Sequence, residues 1–328
     1  PIWCYGIFVC GEFENKKTIR KMVCIFFGRC DCHSGITFYL VVVMVKIYHR
    51  DSKKLIEEKE YQEELLIFLY KTVIGRSLLK LFVARPWFSN LRARYQKSPE
   101  SKKDILPFVK EYHVDISDYN IDHFDSFNDF FTRKRMYGTT TRSNELMAIA
   151  DSKLSVYRVD EKLKLNIKNS IYELKDIIQQ KEIADLYKNG YALVFRLAVN
   201  DYHRYVFFDD GELISSEFIK GELHTIRPVS EKYKVYARNS RVVNVMDSKS
   251  FGIITQVEIG ALLVGKIVNH NTHMFSRLEE KGYFEYGGST IVMFFPPNIM
   301  IDEDILRQSQ AGYETQVFIG DKIGQRKE

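Results

Sequence analysis

The chain has 328 residues, of which 45% are hydrophobic and 14% aromatic, and its 48 basic and 43 acidic side chains give a formal net charge of +5. This composition excludes an intrinsically disordered protein, because disordered chains lack the apolar residues needed to form a core. The small net charge does not by itself indicate a nucleic-acid-binding protein, and we expect no nucleic acid among the partners. The 23 Phe and 20 Tyr residues favour a sheet-rich core.

Residues 1–44 form a Cys-rich apolar leader whose role the sequence leaves open. The leader holds all five cysteines, so no disulfide framework can stabilise the body of the chain, and a reducing compartment is indicated. The Cys-x-Cys-His sequence at 30–33 lacks a second pair of ligands downstream, and we predict no metal site. The apolar run at 36–45 is shorter than the ~20 residues of a membrane-spanning helix. It is a first strand, part of a poor signal-like segment, or sequence outside the true reading frame.

A mixture of basic and apolar residues marks the region 45–145, which we predict to be helical and membrane-associating. Few helix breakers interrupt the apolar spacing of residues 52–112. Between Leu65 and Pro99 there is no acidic residue, and seven basic residues alternate with large apolar ones: Lys71, Arg76, Lys80, Arg85, Arg92, Arg94 and Lys97. This mixture suits a helix on an anionic membrane surface, although an ordinary helical hairpin with solvated basic side chains explains it equally well.

The following segments mark the change from helix to sheet. Residues 123–136 are predicted to form a short helix with Ser126 as its N-cap. From about residue 146, β-rich runs are separated by Asp, Asn and Gly, with a helical insert at 171–188. We predict strands at 153–159, 162–167, 191–198, 203–208, 211–219, 240–246, 252–260, 261–268 and 289–295. The predicted fold class is α+β, a helical N-terminal region packed on a largely antiparallel β-sheet body at 146–328.

Four polar patches are poorly explained by the strand pattern. They are Asp151 before a strand, His203 and His224 beside apolar runs, and the turn Gly288-Ser289-Thr290. The ordinary explanations are a turn aspartate, structural histidines and a Gly-Gly connection that needs positive φ. A chemical explanation also exists, because a serine hydroxyl can attack the peptide bond before it, and glycine leaves that carbonyl uncrowded. A nucleophile, a base and an orienting acid are then available, but the sequence alone does not bring them together.

Six short motifs occur in a fixed order along the chain. They read FNDFFTRK at 127–134, DYHRY at 201–205, GELHTIRP at 221–228, ARNSRVV at 237–243, VEIGALLVGKIVN at 257–269 and KGYFEYGGSTIVMFF at 281–295. Their order and rough spacing resemble the phosphatidylserine decarboxylases, pyruvoyl-dependent enzymes that make phosphatidylethanolamine. The resemblance runs from about Val45 to Gln325, and it is greatest for the bacterial branch whose cleavage motif reads GGST.

The resemblance implies an enzyme that processes its own chain. Ser289 Oγ attacks the carbonyl of Gly288, and cleavage after Gly288 leaves a β chain of residues 1–288 and an α chain of residues 289–328 that remain associated. Ser289 becomes a pyruvoyl group, so that no external cofactor is needed. The ketone of this group forms a Schiff base with phosphatidylserine and accepts the electrons left by loss of CO₂, as pyridoxal phosphate does.

The resemblance also assigns roles to single residues. Asp151 matches the relay aspartate that orients the histidine which deprotonates the serine. His203 is assigned both to this maturation step and to the delivery of the proton that replaces CO₂, and His224 is the reserve base. Thr290 follows Ser289 in the motif, and its hydroxyl helps to hold the turn. A diacyl lipid substrate favours the membrane interpretation, with the protein peripheral on the cytoplasmic face of the cell membrane.

Three positions depart from the family pattern, and other functions stay open. Val206 stands where many members have a second histidine, Ser152 replaces a frequent glycine after Asp151, and Gly287 replaces the leucine of another branch. The alternative functions are a pyruvoyl decarboxylase of another amino-bearing lipid or a soluble amino acid, and a processing-dead homologue that binds anionic membranes. A serine hydrolase is disfavoured, because no Gly-x-Ser-x-Gly pattern surrounds Ser289.

Overall fold

The computed structural model describes residues 3–15, 18–29, 36–59, 63–135, 144–167, 170–225, 230, 233–262, 266–270, 272–286 and 289–327, with side-chain surroundings from Val45 onward. Gly287 and Gly288 of the predicted cleavage turn, and Cys30 and Cys32 of the leader, lie outside the described residues. Helices occupy most of residues 63–131, and antiparallel strands dominate from residue 145 onward. The predicted α+β fold class is therefore confirmed.

Most strands belong to one large sheet. The strands are β1 (Trp3–Asn15), β2 (Thr18–Arg29), β3 (Ile36–His49), β4 (Lys54–Lys59), β5 (Glu145–Met147), β6 (Ser152–Arg158), β7 (Lys164–Ile167), β8 (Ser170–Glu173), β9 (Tyr191–Leu197), β10 (Arg204–Val206), β11 (Gly211–Ile219), β12 (Arg241–Ser248), β13 (Gly252–Ile259), β14 (Ile267–Asn269), β15 (Met274–Phe275), β16 (Glu280–Phe284), β17 (Ser289–Phe295), β18 (Ile299–Ile301), β19 (Glu314–Val317) and β20 (Lys322–Arg326). The large sheet has the order β1-β2-β3-β19-β6-β9-β17-β13-β12-β11-β15, with β4 on β3. Smaller sheets have the orders β10-β16-β14, β18-β20-β5 and β7-β8. Within these sheets, β19 runs parallel to β3 and the other described pairs are antiparallel.

The helices are short, and five of the nine α-helices of the described residues lie within residues 63–131. They are α1 (Glu63–Lys71), α2 (Val73–Leu78), α3 (Pro86–Gln96), α4 (Ile105–Tyr112), α5 (Phe127–Phe131), α6 (Leu174–Ile178), α7 (Lys181–Asp185), α8 (Val235–Arg238) and α9 (Glu303–Ala311), with a π-helical turn at Leu79–Val83. As predicted, Ser126 caps α5, and its Oγ accepts a hydrogen bond from the N–H of Asp129 at 3.2 Å. None of the helices in the described ranges is both long and apolar enough to cross a bilayer.

Several predicted elements have different bounds or types. Residues 54–59 were predicted to be helical, which is wrong, because they form β4 and pair with β3; such pairing overrides a weak helix propensity. The apolar run at 36–45 lies within β3, in agreement with the first of its three interpretations. The helical insert predicted at 171–188 contains the end of β8 and two separate short helices. Of the strand predicted at 261–268, the described residues form a strand only at the end of the run, where β14 begins.

Strand β17 lies at the centre of the hydrophobic core. All seven of its residues are buried, because β9 and β13 flank it in the sheet and apolar side chains cover both of its faces. The apolar run Ile291–Phe295 packs with core residues of β6, β9 and β13. A strand that is apolar on both faces is what the continuous run in the sequence predicts.

Polar contacts join the N-terminal helices to the segments that precede β17 and follow β11. Lys97, just after α3, forms an ion pair with Glu285 at 2.7 Å. Tyr70 of α1 forms a hydrogen bond with Nδ1 of His224 at 3.2 Å, and the N–H of Leu223 donates to the carbonyl of Ala84 at 3.1 Å. The helical region therefore contacts the segments on both sides of the predicted site.

A buried ion pair connects the large sheet to β16, the strand that leads to the predicted cleavage site. Lys281 Nζ lies 2.8 Å from Glu258 Oε1, and the two side chains are 2% and 0% exposed. Glu258 also accepts hydrogen bonds from Gln256 at 2.8 Å and from Asn244 at 2.5 Å. Because Lys281 and Glu258 are both buried and neutralise each other, removal of one charge leaves its partner buried and uncompensated.

Lys281→Met is therefore expected to lower the free energy of unfolding by about 3–5 kcal/mol. Urea titration in a Ser289→Ala background measures this in a chain that cannot process itself. The double change Lys281→Met with Glu258→Gln should restore part of the loss, since it no longer leaves a lone buried carboxylate. Lys175→Met removes an exposed ion pair with Glu173 and is expected to change stability little. An equally small effect of Lys281→Met contradicts the prediction.

Candidate active site

The predicted site residues lie at one end of the large sheet. Ser289 begins β17 and pairs with Leu197, the last residue of β9. Asp151 immediately precedes β6, whose Lys153 pairs with Arg196 of β9. Since adjacent strands are about 4.8 Å apart, the start of β6 and the start of β17 are roughly 10 Å apart, with the end of β9 between them. His203 follows β9 by six residues, so the connection after β9 carries it at the same end.

The two hydroxyl residues of the predicted cleavage motif are fully buried. Ser289 and Thr290 are both 0% exposed. Neither Ser289 Oγ nor Thr290 Oγ1 has a hydrogen-bond partner among the residues that the structure describes. An unsatisfied buried hydroxyl costs about 1–3 kcal/mol, so it calls for a functional explanation. Two consecutive unsatisfied hydroxyls, one on each face of the sheet at the start of a core strand, indicate a reactive or ligand-binding position.

The tautomer of His203 follows from its main-chain contact. Nδ1 lies 2.9 Å from the carbonyl oxygen of Asp201. A carbonyl oxygen only accepts, so Nδ1 carries the proton, and Nε2 carries the lone pair of the neutral ring. The ring packs on Phe131 at a centroid distance of 4.3 Å, and the carbonyl of His203 accepts from the N–H of Phe284 at 3.0 Å. His203 is thus buried with a fixed orientation, and Nε2 is the ring nitrogen that carries the lone pair.

Asp201 and Lys153 fix the connection that carries His203. Lys153 Nζ, which is almost fully buried, lies 2.7 Å from Asp201 Oδ1, and the N–H of Ala198 donates to Asp201 Oδ2 at 2.7 Å. Neither Asp201 nor Lys153 was predicted to have a role. Asp201 belongs to the motif DYHRY and could have been predicted from it, but the sequence contains no signal that pairs Asp201 with a lysine of β6.

Asp151 is held by an arginine that the sequence analysis also missed. Arg135 Nη2 donates to both carboxylate oxygens, at 3.0 and 2.9 Å, and the N–H of Ile319 donates to Oδ1 at 2.9 Å. Burial is the largest influence on the pKa of Asp151 and raises it, against the opposing charge of Arg135. The N–H of Arg135 donates to the hydroxyl of Tyr202 at 2.8 Å, and Tyr202 precedes His203. Arg135 therefore contacts both Asp151, through its guanidinium, and Tyr202, the residue before His203, through its main-chain N–H.

His224 lies at the same end of the sheet and joins two elements. The amide of Asn239 donates to the carbonyls of His224 and Gly260, both at 2.8 Å, and Gly260 follows β13. The ring of His224 contacts Tyr70 through Nδ1 at 3.2 Å and Glu222 through Nε2 at 3.0 Å. Burial lowers the pKa of His224 despite the hydrogen bond that the ring donates to Glu222. Both ring nitrogens are therefore engaged.

Buried hydroxyls, an imidazole of fixed tautomer and a carboxylate held by an arginine thus gather at one end of an α+β sheet, which is the composition of an enzyme site. Across the described part of the chain, no group of three or more His, Cys, Asp or Glu side chains is arranged to hold a metal ion. Val206, which stands where many members of the resembled family have a second histidine, is buried in β10.

Known proteins give the family. The family model described as phosphatidylserine decarboxylase matches residues 127–325. The phosphatidylserine decarboxylase proenzyme 2 of Clostridium acetobutylicum is 48% identical over 286 residues, which are 86% of this chain and 98% of that protein. The phosphatidylserine decarboxylase proenzymes of Clostridium tetani and Desulfitobacterium hafniense are 37% and 36% identical over 86% of this chain and 99% of each relative. The chain belongs to the phosphatidylserine decarboxylase family, which confirms the resemblance carried by the six motifs.

Protonation of His224 is expected to destabilise the folded chain. Since its pKa in the folded state lies below the ordinary 6.5, the unfolded ring takes up a proton at a higher pH than the folded ring does. The stability associated with neutral His224 is complete above the unfolded pKa and is lost as the pH falls through the folded pKa. The unchanged chain should therefore lose free energy of unfolding relative to His224→Gln as the pH falls below the ordinary 6.5 and through the lower pKa of the folded state. A difference that does not vary with pH in urea titrations contradicts this assignment.

Proposed function

We propose that this chain is a self-processing decarboxylase that converts phosphatidylserine to phosphatidylethanolamine and CO₂ with a pyruvoyl group made from Ser289. The observation that carries the proposal is the buried Oγ of Ser289, which has no hydrogen-bond partner among the described residues and begins the central strand of the core. The names of the relatives, which are proenzymes of phosphatidylserine decarboxylase, support the same function.

The first reaction cleaves the chain between Gly288 and Ser289. Ser289 Oγ loses its proton to His203 Nε2 and attacks the carbonyl carbon of Gly288. The amide C–N bond breaks as an ester forms, and the nitrogen of Ser289 takes up a proton. Loss of the Cα proton of Ser289 then expels Gly288 as a carboxylate. Water adds to the remaining enamine, ammonia leaves, and a pyruvoyl group begins the α chain.

The surrounding charges support His203 as the base of this step. The hydrogen bond of Nδ1 to the Asp201 carbonyl leaves the lone pair on Nε2, and the ion pair with Lys153 fixes Asp201. Asp151 stays the relay acid of the proposal, and it acts on the imidazole through the contacts of Arg135 and Tyr202. His224 is the reserve base, although Tyr70 and Glu222 engage both of its ring nitrogens.

The residues around Ser289 fit a pyruvoyl group. Thr290 Oγ1 is buried, lacks a partner within the described residues and is a donor available to hold a carbonyl oxygen of the group. The pyruvoyl supplies an electron sink for the carbanion that loss of CO₂ leaves behind. His203 lies at the same end of the sheet and delivers the proton that replaces CO₂. Burial of this end of β17 excludes water from the reacting atoms.

Cleavage leaves the two chains paired. After cleavage, β17 belongs to the α chain, but it remains between β9 and β13 of the β chain. Strand β19 likewise pairs with β6 and β3, and β20 pairs with β5. These main-chain hydrogen bonds and the shared core support an α chain of residues 289–328 that stays in place without the covalent bond.

The substrate reaches the site from an anionic membrane surface. Val73, Ile74 and Trp87 are 72%, 70% and 53% exposed, an unusual number of large apolar side chains for water-facing helices. Exposed basic side chains lie among them: Lys71, Lys80, Arg85, Arg92 and Arg94. Such a surface binds the headgroup region of anionic bilayers. The cysteine-free body of the chain supports the cytoplasmic face of the cell membrane.

Intact mass spectrometry tests the self-cleavage directly. The unchanged chain should split after Gly288, with the smaller product lighter by one ammonia than simple hydrolysis predicts, because the pyruvoyl lacks the serine nitrogen. Ser289→Ala has no nucleophile and should stay as one chain. Ser89→Ala removes another buried serine hydroxyl that lacks a partner in the described region, and it should cleave normally. If the unchanged chain stays intact in the presence of lipid, the proposal fails in favour of a processing-dead protein that binds membranes.

Charge reversal tests the membrane surface. Changing Lys71, Arg76, Lys80 and Arg85 to Glu should weaken binding to phosphatidylserine vesicles by roughly 100-fold or more, since each basic residue near an anionic surface contributes ~1 kcal/mol. Vesicle sedimentation measures this binding. The control changes four exposed lysines around β7 and α7 to Glu and should bind normally: Lys162, Lys164, Lys181 and Lys188. Equal binding by both variants would show that the basic helices are only solvated.

A further inference from the structure

Arg133 follows helix α5 and lies against three aromatic rings. Its guanidinium carbon is 4.8 Å from the ring centroid of Phe130, 5.4 Å from that of Tyr119 and 6.0 Å from that of Tyr202. Nη1 donates to the main-chain carbonyl of Phe130 at 3.3 Å. The side chain is partly buried, so part of it reaches solvent.

Among the described residues, Arg133 has no acidic partner of the kind that other cations around the site have. Those cations lie 2.6 to 2.9 Å from a carboxylate in the pairs Lys97–Glu285, Arg135–Asp151, Lys153–Asp201 and Arg204–Glu280. In the described part of the chain no carboxylate lies within ion-pair distance of Arg133, and its buried Nε has no hydrogen-bond partner there. The pKa of Asp115 is lowered mainly by the hydrogen bond that its carboxylate accepts from the N–H of Ser117, and the charge of Arg133 also contributes, but Asp115 is fully exposed. Because a guanidinium stays protonated, an anion is needed to neutralise this charge.

The position of Arg133 places this charge beside His203. Tyr202, one of the three rings, directly precedes His203, and Phe131, two residues before Arg133, packs on the imidazole at 4.3 Å. Arg204, on the other side of His203, donates through Nε to the carbonyl of Thr132 at 2.8 Å and to that of Arg133 at 3.2 Å. The segment after α5 is therefore fixed against both neighbours of the histidine.

The chemistry of the substrate indicates which anion Arg133 takes. Phosphatidylserine carries an amine that reacts, a carboxylate that leaves as CO₂ and a phosphodiester that stays unchanged. A guanidinium suits phosphate oxygens because its planar fork donates parallel hydrogen bonds. We propose that Arg133 binds the phosphodiester of the lipid headgroup, an inference that rests on the proposed function.

This assignment has a kinetic signature. The phosphodiester is the same in the substrate, the transition state and the product, so a contact to it stabilises all three equally. Loss of such a contact raises KM and leaves kcat nearly unchanged. A residue that acts on the reacting atoms or only supports the fold lowers kcat instead, so the two kinetic constants separate the possibilities.

The test compares Arg133→Gln with the unchanged enzyme on short-chain phosphatidylserine in micelles of a non-ionic detergent, which carry no surface charge. Arg133→Gln is expected to raise KM about 10- to 100-fold, as for the loss of one charge-assisted contact. Its kcat should stay within about two-fold. Arg133→Lys keeps the charge but not the fork and should show a smaller rise in KM. Phosphatidylethanolamine has the same phosphodiester, so its inhibition constant should rise by the same factor as KM.

Arg158 provides a matched control. Its guanidinium also stacks on a tyrosine, Tyr191, at 4.4 Å and donates to a main-chain carbonyl, that of Asn189, at 2.9 Å. It lies at the opposite end of β6 from Asp151. Arg158→Gln is therefore expected to leave KM and kcat unchanged.

Inorganic phosphate distinguishes two sources of the anion. Competitive inhibition of the unchanged enzyme that is lost in Arg133→Gln supports a subsite for phosphate in general. A raised KM without such inhibition supports a subsite that takes the phosphate only as part of the lipid.

An intact mass for each variant shows that it has folded and processed itself, and if Arg133→Gln has not, Arg133→Lys carries the test. A processed variant with unchanged KM, or with a lower kcat at unchanged KM, overturns the inference and leaves the proposed function in place. If the unchanged protein processes itself but does not decarboxylate phosphatidylserine, the proposed function fails and the inference fails with it.

Discussion

Main-chain hydrogen bonds hold β17 between β9 and β13, and this register sets Ser289 opposite Leu197 and Thr290 opposite Ile259. A slip of one residue would turn every side chain of β17 to the other face and remove its apolar residues from the core. The burial of Ile291–Phe295 therefore fixes the position of a hydroxyl that has no hydrogen bond of its own in the described region. The other candidate site residues lie at the same end of the sheet as Ser289 Oγ.

Charged pairs, together with the packing of His203 on Phe131, position the candidate site residues His203 and Asp151. Asp201 with Lys153 holds the connection that carries His203, and Arg135 holds Asp151. Buried ion pairs contribute little net stability, because desolvation offsets their attraction, but the loss of one partner is costly. We infer that their role here is positional. Each pair fixes a group at the end of a strand, where the sheet ladder no longer does so.

The N-terminal helices have a buried side and an exposed side with different contacts. Their buried side connects to the site through Lys97 and Tyr70, whereas their outer side exposes apolar and basic residues together. The aromatic cluster of α5, which packs on His203 through Phe131, is where we propose that the lipid headgroup binds. Arg133 lies in that cluster as a cation without an acidic partner among the described residues, which is suitable for a group that arrives with the lipid.

The sequence by itself determined the α+β class, the bounds of β11 and β17 and the cap of α5, and it predicted the four polar patches of the candidate site. Burial periodicity, capping and local motifs involve only neighbouring residues. The sequence did not determine that Lys54–Lys59 forms a strand, nor that Lys153 pairs with Asp201, 48 residues away. Arg133 stands within the motif FNDFFTRK, but the sequence does not show that no carboxylate of the described residues lies within ion-pair distance of it. Only the tertiary structure decided these features, because the side chains that meet at the end of a sheet depend on the register of strands distant in sequence.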